Sequence, residues 1–327
     1  MAELLAPTHE ADLQSAFCNL IDQLSAEVIG QRDLIRGLVL ALLCDGHVLV
    51  EGPPGTGKTR AVKMLARHLA TRFGRVQFTP DLLPADLTGS DVYTADRELV
   101  FQQGPIFNHL ILADEINRAP ARVQSALLEA MEEKQVTVGT QTYSLPQPFL
   151  VMATQNSVDQ EGTYPLPEAQ LDRFLMKLTV DYPSREADLD ILKLQQAEEQ
   201  QQLSAHTLVA LELIAAARNL ISKVVVADSI AQYIVDIVQA TRHPHKYSEE
   251  LTSWLKHGAS ARAILALHRT ARASAWLKGR DHVIPEDVKE LLEPCLAHRL
   301  SLSYEAIANA VSTRDLIEAL SEHVVAH

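Results

Sequence analysis

The sequence predicts an α/β protein: a parallel five-stranded sheet covered by helices on both faces, followed by an all-α domain. Three observations predict it. Five short apolar runs, at residues 47–51, 75–78, 110–113, 150–153 and 176–180, are separated by segments of helical periodicity such as 121–134. Strands that read as continuous apolar runs are buried on both faces, which calls for helical crossovers and parallel neighbours. Second, a glycine-rich turn ending in Lys-Thr stands between the first run and the next helix. Third, strands stop after residue 182 and amphipathic helices take over, so the expected organisation is 1–182 and 183–327.

Each element has its own reason. Leu13, Phe17, Leu20 and Leu24 recur at helical spacing within 11–28, and a second helix is expected over 31–44. Residues 58–70 form the helix after the turn. Two segments interrupt the alternation of strand and helix. Residues 91–94 and 98–102 read as a pair of short strands inserted between 82 and 107, and 136–145 reads as a hairpin turning near Gly139 and Thr140. In the second domain, Ile230, Ile234, Ile237 and Val238 form an apolar stripe over 229–241, and a further helix is expected over 285–297. The Gln-rich stretch 195–202 reads as an exposed helix end.

Composition narrows the function classes. With 327 residues, 47% of them hydrophobic, the chain can fill two cores. A net charge of −13 argues against nonspecific attraction to a nucleic-acid backbone, so no nucleic acid is expected as a partner, although a local basic face remains open. Cys18, Cys44 and Cys295 are odd in number, widely spaced and set in apolar helical contexts. They read as reduced core thiols of a cytoplasmic protein. The first residues lack a basic segment and a long apolar core, and the apolar span 38–44 is far too short to cross a bilayer. Neither export signal nor transmembrane segment is expected. His243 and His245 flank Pro244 without a third ligand at useful spacing, and read as loop histidines.

The turn carries the chemistry. Gly52, Pro53, Pro54, Gly55, Thr56, Gly57, Lys58 and Thr59 match a phosphate-binding P-loop in both residues and context. The glycines let backbone N–H groups turn toward phosphate oxygens, Lys58 reaches the β- and γ-phosphates, and the Thr59 hydroxyl is a Mg²⁺ ligand. Arg60, next in sequence, is counted with the same site. The following helix points its positive end at the anion. A nucleoside triphosphate with Mg²⁺ is therefore the expected ligand. Asp114 and Glu115 follow the third strand, at the edge where parallel sheets bind ligands. Asp114 is placed to hold the metal and Glu115 to polarise a water for in-line attack. Asn156, just past the next strand, can bridge that water and the γ-phosphate; a turn-forming Asn is the plainer alternative.

The run from Leu112 to Ala119, the run from Gln124 to Glu133, and Ala153-Thr154-Gln155-Asn156 with 161–174, which ends in Leu171-Asp172-Arg173-Phe174, resemble the MoxR family of AAA+ ATPases. The resemblance covers 28 to at least 287. It implies an αβα P-loop core with two β-hairpin insertions and a helical lid, assembled into a homo-oligomeric ring, usually a hexamer. By this likeness 52–59 is Walker A, Asp114 and Glu115 are Walker B, and Asn156 is sensor 1. Arg173 is implied to be an arginine finger acting on a neighbouring subunit's ATP, and Arg262 the lid's sensor 2. Val28-Ile29-Gly30-Gln31 resembles the loop that brackets adenine. Ser260 is a credible cap for the helix carrying Arg262. For Arg173 the alternative is a surface salt bridge, with Asp172 or another neighbour, and for Arg118 an intersubunit role stays open.

The sequence departs from the family at Ala261, where proline commonly precedes the lid arginine, and at Ser157-Val158-Asp159, where proline is usual. The resemblance implies an ATPase that remodels or matures partner protein complexes, with metal or cofactor insertion as one such task, beside a protein with a von Willebrand factor A-like domain. Its client is not encoded in any recognisable motif. A nucleic-acid-associated motor and a nucleotide-gated scaffold with little turnover are the alternatives.

Overall fold

A computed structural model describes residues 10–93, 97–155, 163–200 and 208–326. The chain divides into two compact units, one of 1–166 and 178–214, the other of 167–177 and 215–327. This division does not coincide with a single cut at residue 183.

The first unit begins with α1 (Glu10–Glu27) and α2 (Arg32–Leu43), then β1 (Val48–Glu51), α3 (Lys58–His68) and β2 (Phe73–Gln77). Next come α4 (Pro84–Thr88) and the antiparallel ribbon β3 (Gly89–Tyr93) and β4 (Leu99–Gln103). They are followed by β5 (Leu110–Asp114), α5 (Ala121–Glu133), a second ribbon of β6 (Gln135–Val138) and β7 (Gln141–Ser144), and β8 (Leu150–Gln155). The short α6 (Glu168–Leu171) and the start of β9 (Met176–Thr179) fall in the second unit, and the end of β9 and α7 (Arg185–Glu199) in the first. The sheet order is β2-β5-β8-β1-β9, and β2/β5, β5/β8 and β8/β1 pair in parallel.

The central strands are continuously apolar because both faces are covered: Leu110 to Ala113 and Leu150 to Ala153 are buried throughout. His47, just before β1, is buried with them. Its Nδ1 accepts from the Val151 N–H at 3.0 Å and its Nε2 donates to the Met131 carbonyl at 3.1 Å. Burial pushes its pKa down to about 4. Both inserted ribbons form as expected, the second turning at Gly139, and Phe101 of the first stacks on Tyr143 of the second with ring centroids 4.1 Å apart. α7 belongs to this unit, where Pro183 and Ala187 face Gly30.

The second unit completes α8 (Leu211–Ile221), whose first turn lies in the first unit, and continues through α9 (Asp228–Arg242), α10 (Glu249–Trp254), β10 (Leu255–His257) and α11 (Ala261–Leu277). It ends with α12 (Pro285–Lys289), α13 (Leu292–Leu296), β11 (Ser301–Leu302), α14 (Tyr304–Ala308) and α15 (Thr313–His323). Serine hydroxyls cap four of these helices, at Ser248, Ser260, Ser303 and Ser312. Among its described residues the unit is helical apart from the antiparallel pair β10 and β11, an isolated bridge between Val225 and His282, and the start of β9. The single helix expected over 285–297 is two, α12 and α13. Pro294 has no N–H to give and its ring crowds the carbonyl of Glu290, which breaks the run there.

All three cysteines are free, and the described residues contain no group of three or more His, Cys, Asp or Glu arranged to hold a metal. Among them no helix is long and apolar enough to cross a membrane.

Candidate functional site

The glycine-rich loop joins β1 to α3 in the first unit. A Cβ at Gly52 would stand 2.2 Å from the Val180 carbonyl oxygen, so only glycine lets the loop leave β1 beside the neighbouring strand. Gly57, which opens α3, has φ +81°, the left-handed region that turns its N–H inward. Pro53 and Pro54 lie between, and the Thr56 hydroxyl donates to the Pro53 carbonyl at 3.0 Å. Lys58 is buried, its ammonium donating to the carbonyls of Gly52 at 2.5 Å and Pro53 at 2.9 Å. Burial depresses its pKa, while Asp114 and Glu115 pull it back up.

Beside the loop lies a cavity of about 250 Å³, walled by Val28, Ile29, Gly55, Thr56, Gly57 and Arg60 and closed by Pro183, Ile191 and Leu194 at α7. Its apolar walls suit a planar base, and the loop N–H groups suit the phosphates. Gly30, at φ +78°, adjoins it. Arg60 lines the cavity as a strut: its Nε donates to the Glu27 carbonyl at 2.7 Å, and both terminal nitrogens donate to the Glu198 carboxylate. The α7 residues escaped sequence reasoning, since 183–200 was assigned to the other domain, and no signal in the sequence marked them.

Across the strand edge, β5 ends at Asp114, in register with Gln77 of β2, and β8 brings Thr154 opposite Val50 of β1. The buried Thr154 hydroxyl donates to Asp114 Oδ1 at 2.8 Å and accepts from the Glu115 N–H at 2.8 Å. One hydroxyl thus fixes both acidic residues. Glu115 occupies the left-handed region, φ +57° and ψ +51°, unusual for a residue with a long side chain. The carboxylates have cationic and amide partners: Arg75 Nη2 lies 2.7 Å from Asp114 Oδ2, while Gln77 Nε2 and Arg118 Nη1 each lie 2.9 Å from Glu115 Oε2. Arg118 therefore has a partner within its own chain. Sequence reasoning missed Thr154, Arg75 and Gln77; Thr154 stood inside a quoted motif, and no signal marked the other two. Asp114 and Thr59 offer the hard oxygen donors Mg²⁺ requires, and Arg75 on Asp114 shows that carboxylate already balanced by positive charge. Asn156 lies outside the described residues.

Arg173 and Arg262 belong to the second unit. Arg173 follows α6, flanked by Asp172 and the fully buried Phe174. Asp172 is committed elsewhere: its Oδ1 accepts from Arg299 Nε at 2.8 Å and its Oδ2 from Ser260 Oγ at 2.8 Å. Arg262 sits in the first turn of α11, whose Ser260 cap accepts the Arg262 N–H at 3.0 Å. Its Nη1 lies 3.7 Å from Asp172 Oδ2.

Known proteins resemble this chain over most of its length. Residues 47–176 match the ATPase family associated with various cellular activities (AAA), and 253–320 match the AAA lid domain. The chain is 45% identical to Chaperone MoxR1 of Mycobacterium tuberculosis over 91% of this chain and 78% of that one. It is 33% identical to Protein MoxR of Paracoccus denitrificans, covering 90% and 91% of the two. A crystal structure of a protein from Cytophaga hutchinsonii superposes with a TM-score of 0.90 at 43% identity, over 97% of each chain.

Proposed function

The chain belongs to the MoxR family of AAA+ ATPases, and we propose that it couples Mg²⁺-dependent ATP hydrolysis to the remodelling or maturation of partner protein complexes. One observation carries the chemical half of this reading. Asp114 and Glu115, joined by the Thr154 hydroxyl, lie close enough to Lys58 to act on its charge, and we read the three as metal ligand, base and phosphate clamp. The base cavity adjoins the loop, so a nucleotide spans both.

In this reading the loop N–H groups and Lys58 hold the β- and γ-phosphates. Thr59 and Asp114 would hold Mg²⁺, which supplies neutralisation of the phosphate oxygens. Glu115 orients the attacking water and accepts its proton, Asn156 orients the γ-phosphate, and Ile29 with Gly30 flanks the base. Arg173 reaches the nucleotide of the next subunit in a homo-oligomeric ring, six-membered as the family resemblance implies, and Arg262 reads the subunit's own nucleotide. The naming of one relative as a chaperone supports action on proteins. A von Willebrand factor A-like partner, a cytoplasmic setting and an unidentified client complete the proposal.

The test is ATP turnover by wild type, Glu115→Gln, Arg173→Ala and an equimolar mixture of the two variants, with particle size measured alongside. Inactive variants that regain activity when mixed place the finger in trans. Full activity of Arg173→Ala removes it from the mechanism.

A further inference from the structure

The segment that carries Arg173 is fastened to helices of the second unit by a side chain that no sequence motif marks. Arg299, only 3% exposed, places its guanidinium across the residues around Arg173. Its Nε donates to Asp172 Oδ1 at 2.8 Å, and its Nη2 donates to the carbonyls of Asp172 at 3.1 Å and Phe174 at 2.6 Å. Its Nη1 reaches the Leu175 carbonyl at 3.2 Å and the Cys295 carbonyl of α13, the helix just before it. His298 adds a second donor to the Phe174 carbonyl at 3.1 Å.

A buried guanidinium spends its donors where geometry matters, since each one left unmade there is costly. Here they fix the backbone on both sides of Arg173. Residue 173 is thus held from before and after.

The other oxygen of Asp172 faces α11. Ser260 donates to it at 2.8 Å while accepting the Arg262 N–H, and Arg262 Nη1 stands 3.7 Å away. One carboxylate therefore touches the Arg173 segment's anchor through Oδ1 and the Arg262 helix through Oδ2.

We propose that Arg299 and Asp172 are positioning residues for the arginine finger, so that the finger offered to the next subunit is set by the lid of the subunit that carries it. This rests on the reading of Arg173 as a finger in trans and of Arg262 as a reader of the chain's own nucleotide. When Arg262 turns to a phosphate, Asp172 loses a neighbouring positive charge and keeps Arg299 and Ser260. The carboxylate then redistributes its hydrogen bonds beside residue 173.

The experiment uses the full chain, with Asp172→Asn and Arg299→Lys as variants. Asp172→Asn keeps the shape and removes the charge; Arg299→Lys keeps the charge and removes the fork. Each is assayed for ATP turnover alone and mixed equally with Glu115→Gln, and for binding of a fluorescent ATP analogue. The expected result is turnover reduced by about 10²-fold, the scale of a 1 Å misplacement, analogue affinity within about twofold of wild type, and activity regained in the mixture. Recovery is the informative readout, because a Glu115→Gln neighbour donates an intact finger to a variant whose own loop is intact. Loss of analogue binding, or failure to recover while Arg173→Ala with Glu115→Gln does recover, overturns the proposal. If that control pair itself does not recover, the finger in trans falls, and this inference with it.

Discussion

The phosphate loop and the Asp172–Arg299 clamp each hold a cation near where a phosphate is expected, and they are built in opposite ways. The loop takes eight consecutive residues, and its geometry comes from glycine backbone freedom and the start of a helix. The clamp joins residues 127 apart in sequence and depends on one long side chain meeting a distant carboxylate and distant carbonyls. A contiguous site is robust because its shape is mostly main chain. A side-chain clamp is sensitive, because one substitution undoes it, and that sensitivity is what a coupling element requires.

Arg173→Ala should give the largest effect, a fall of about 10³- to 10⁵-fold in kcat with ATP binding retained. Steady-state kinetics with calorimetric binding checks this, and joint loss of both would erase the contrast between the two regions. Next, Lys58→Ala should lower kcat/KM by about 10²- to 10³-fold, the scale of losing one preorganised donor to a transition-state anion. Unlike the finger variant, it should not regain activity when mixed with Glu115→Gln, since both partners then lack a working site.

Stability should respond to acid. An unfolded histidine titrates near 6.5, and His47 is held at about 4 by burial in the first unit. Between those values the unfolded chain binds the proton and the folded one does not, so stability is present above 6.5 and lost as pH falls toward 4. At pH 5 the loss from His47 is about 2 kcal/mol. Burial, with Arg299 beside it, also holds His298 of the second unit well below its usual value, so that unit should weaken in the same direction. Melting curves at pH 7 and pH 5 measure this, and equal midpoints would contradict it. Last and smallest, Glu115→Gly should abolish turnover yet stabilise the fold by about 0.5 kcal/mol, because relief of the left-handed Cβ strain, about 1–2 kcal/mol, exceeds the opposing cost of about 0.5–1 kcal/mol from the entropy glycine adds to the unfolded chain. Chemical denaturation resolves a shift of that sign.

The first unit was legible where information is local. Continuous apolar runs located the five strands, and the strand-loop-helix order located Lys58 and, through the sheet edge, Asp114 and Glu115. The Ser260 cap was readable because capping is a four-residue affair. What escaped was long-range. Arg75 and Gln77 reach the acids only because β2 lies beside β5, and register between strands 37 residues apart has no sequence signature. Arg299 reads as an ordinary charged residue at a helix end. β10 and β11, of three and two residues, are too short for alternation to show. The helix break at Glu290 was readable from Pro294 and was overlooked in favour of apolar periodicity.

Lys58 has somewhere to return to. With its ammonium on the Gly52 and Pro53 carbonyls, the buried cation has oxygen partners within its own loop. In the proposed ATPase, release of products would then be an exchange of one set of oxygens for another, free of most of the penalty for stranding a charge. The same carbonyls would compete with ATP for the lysine and hold affinity down, favouring repeated cycling over long residence.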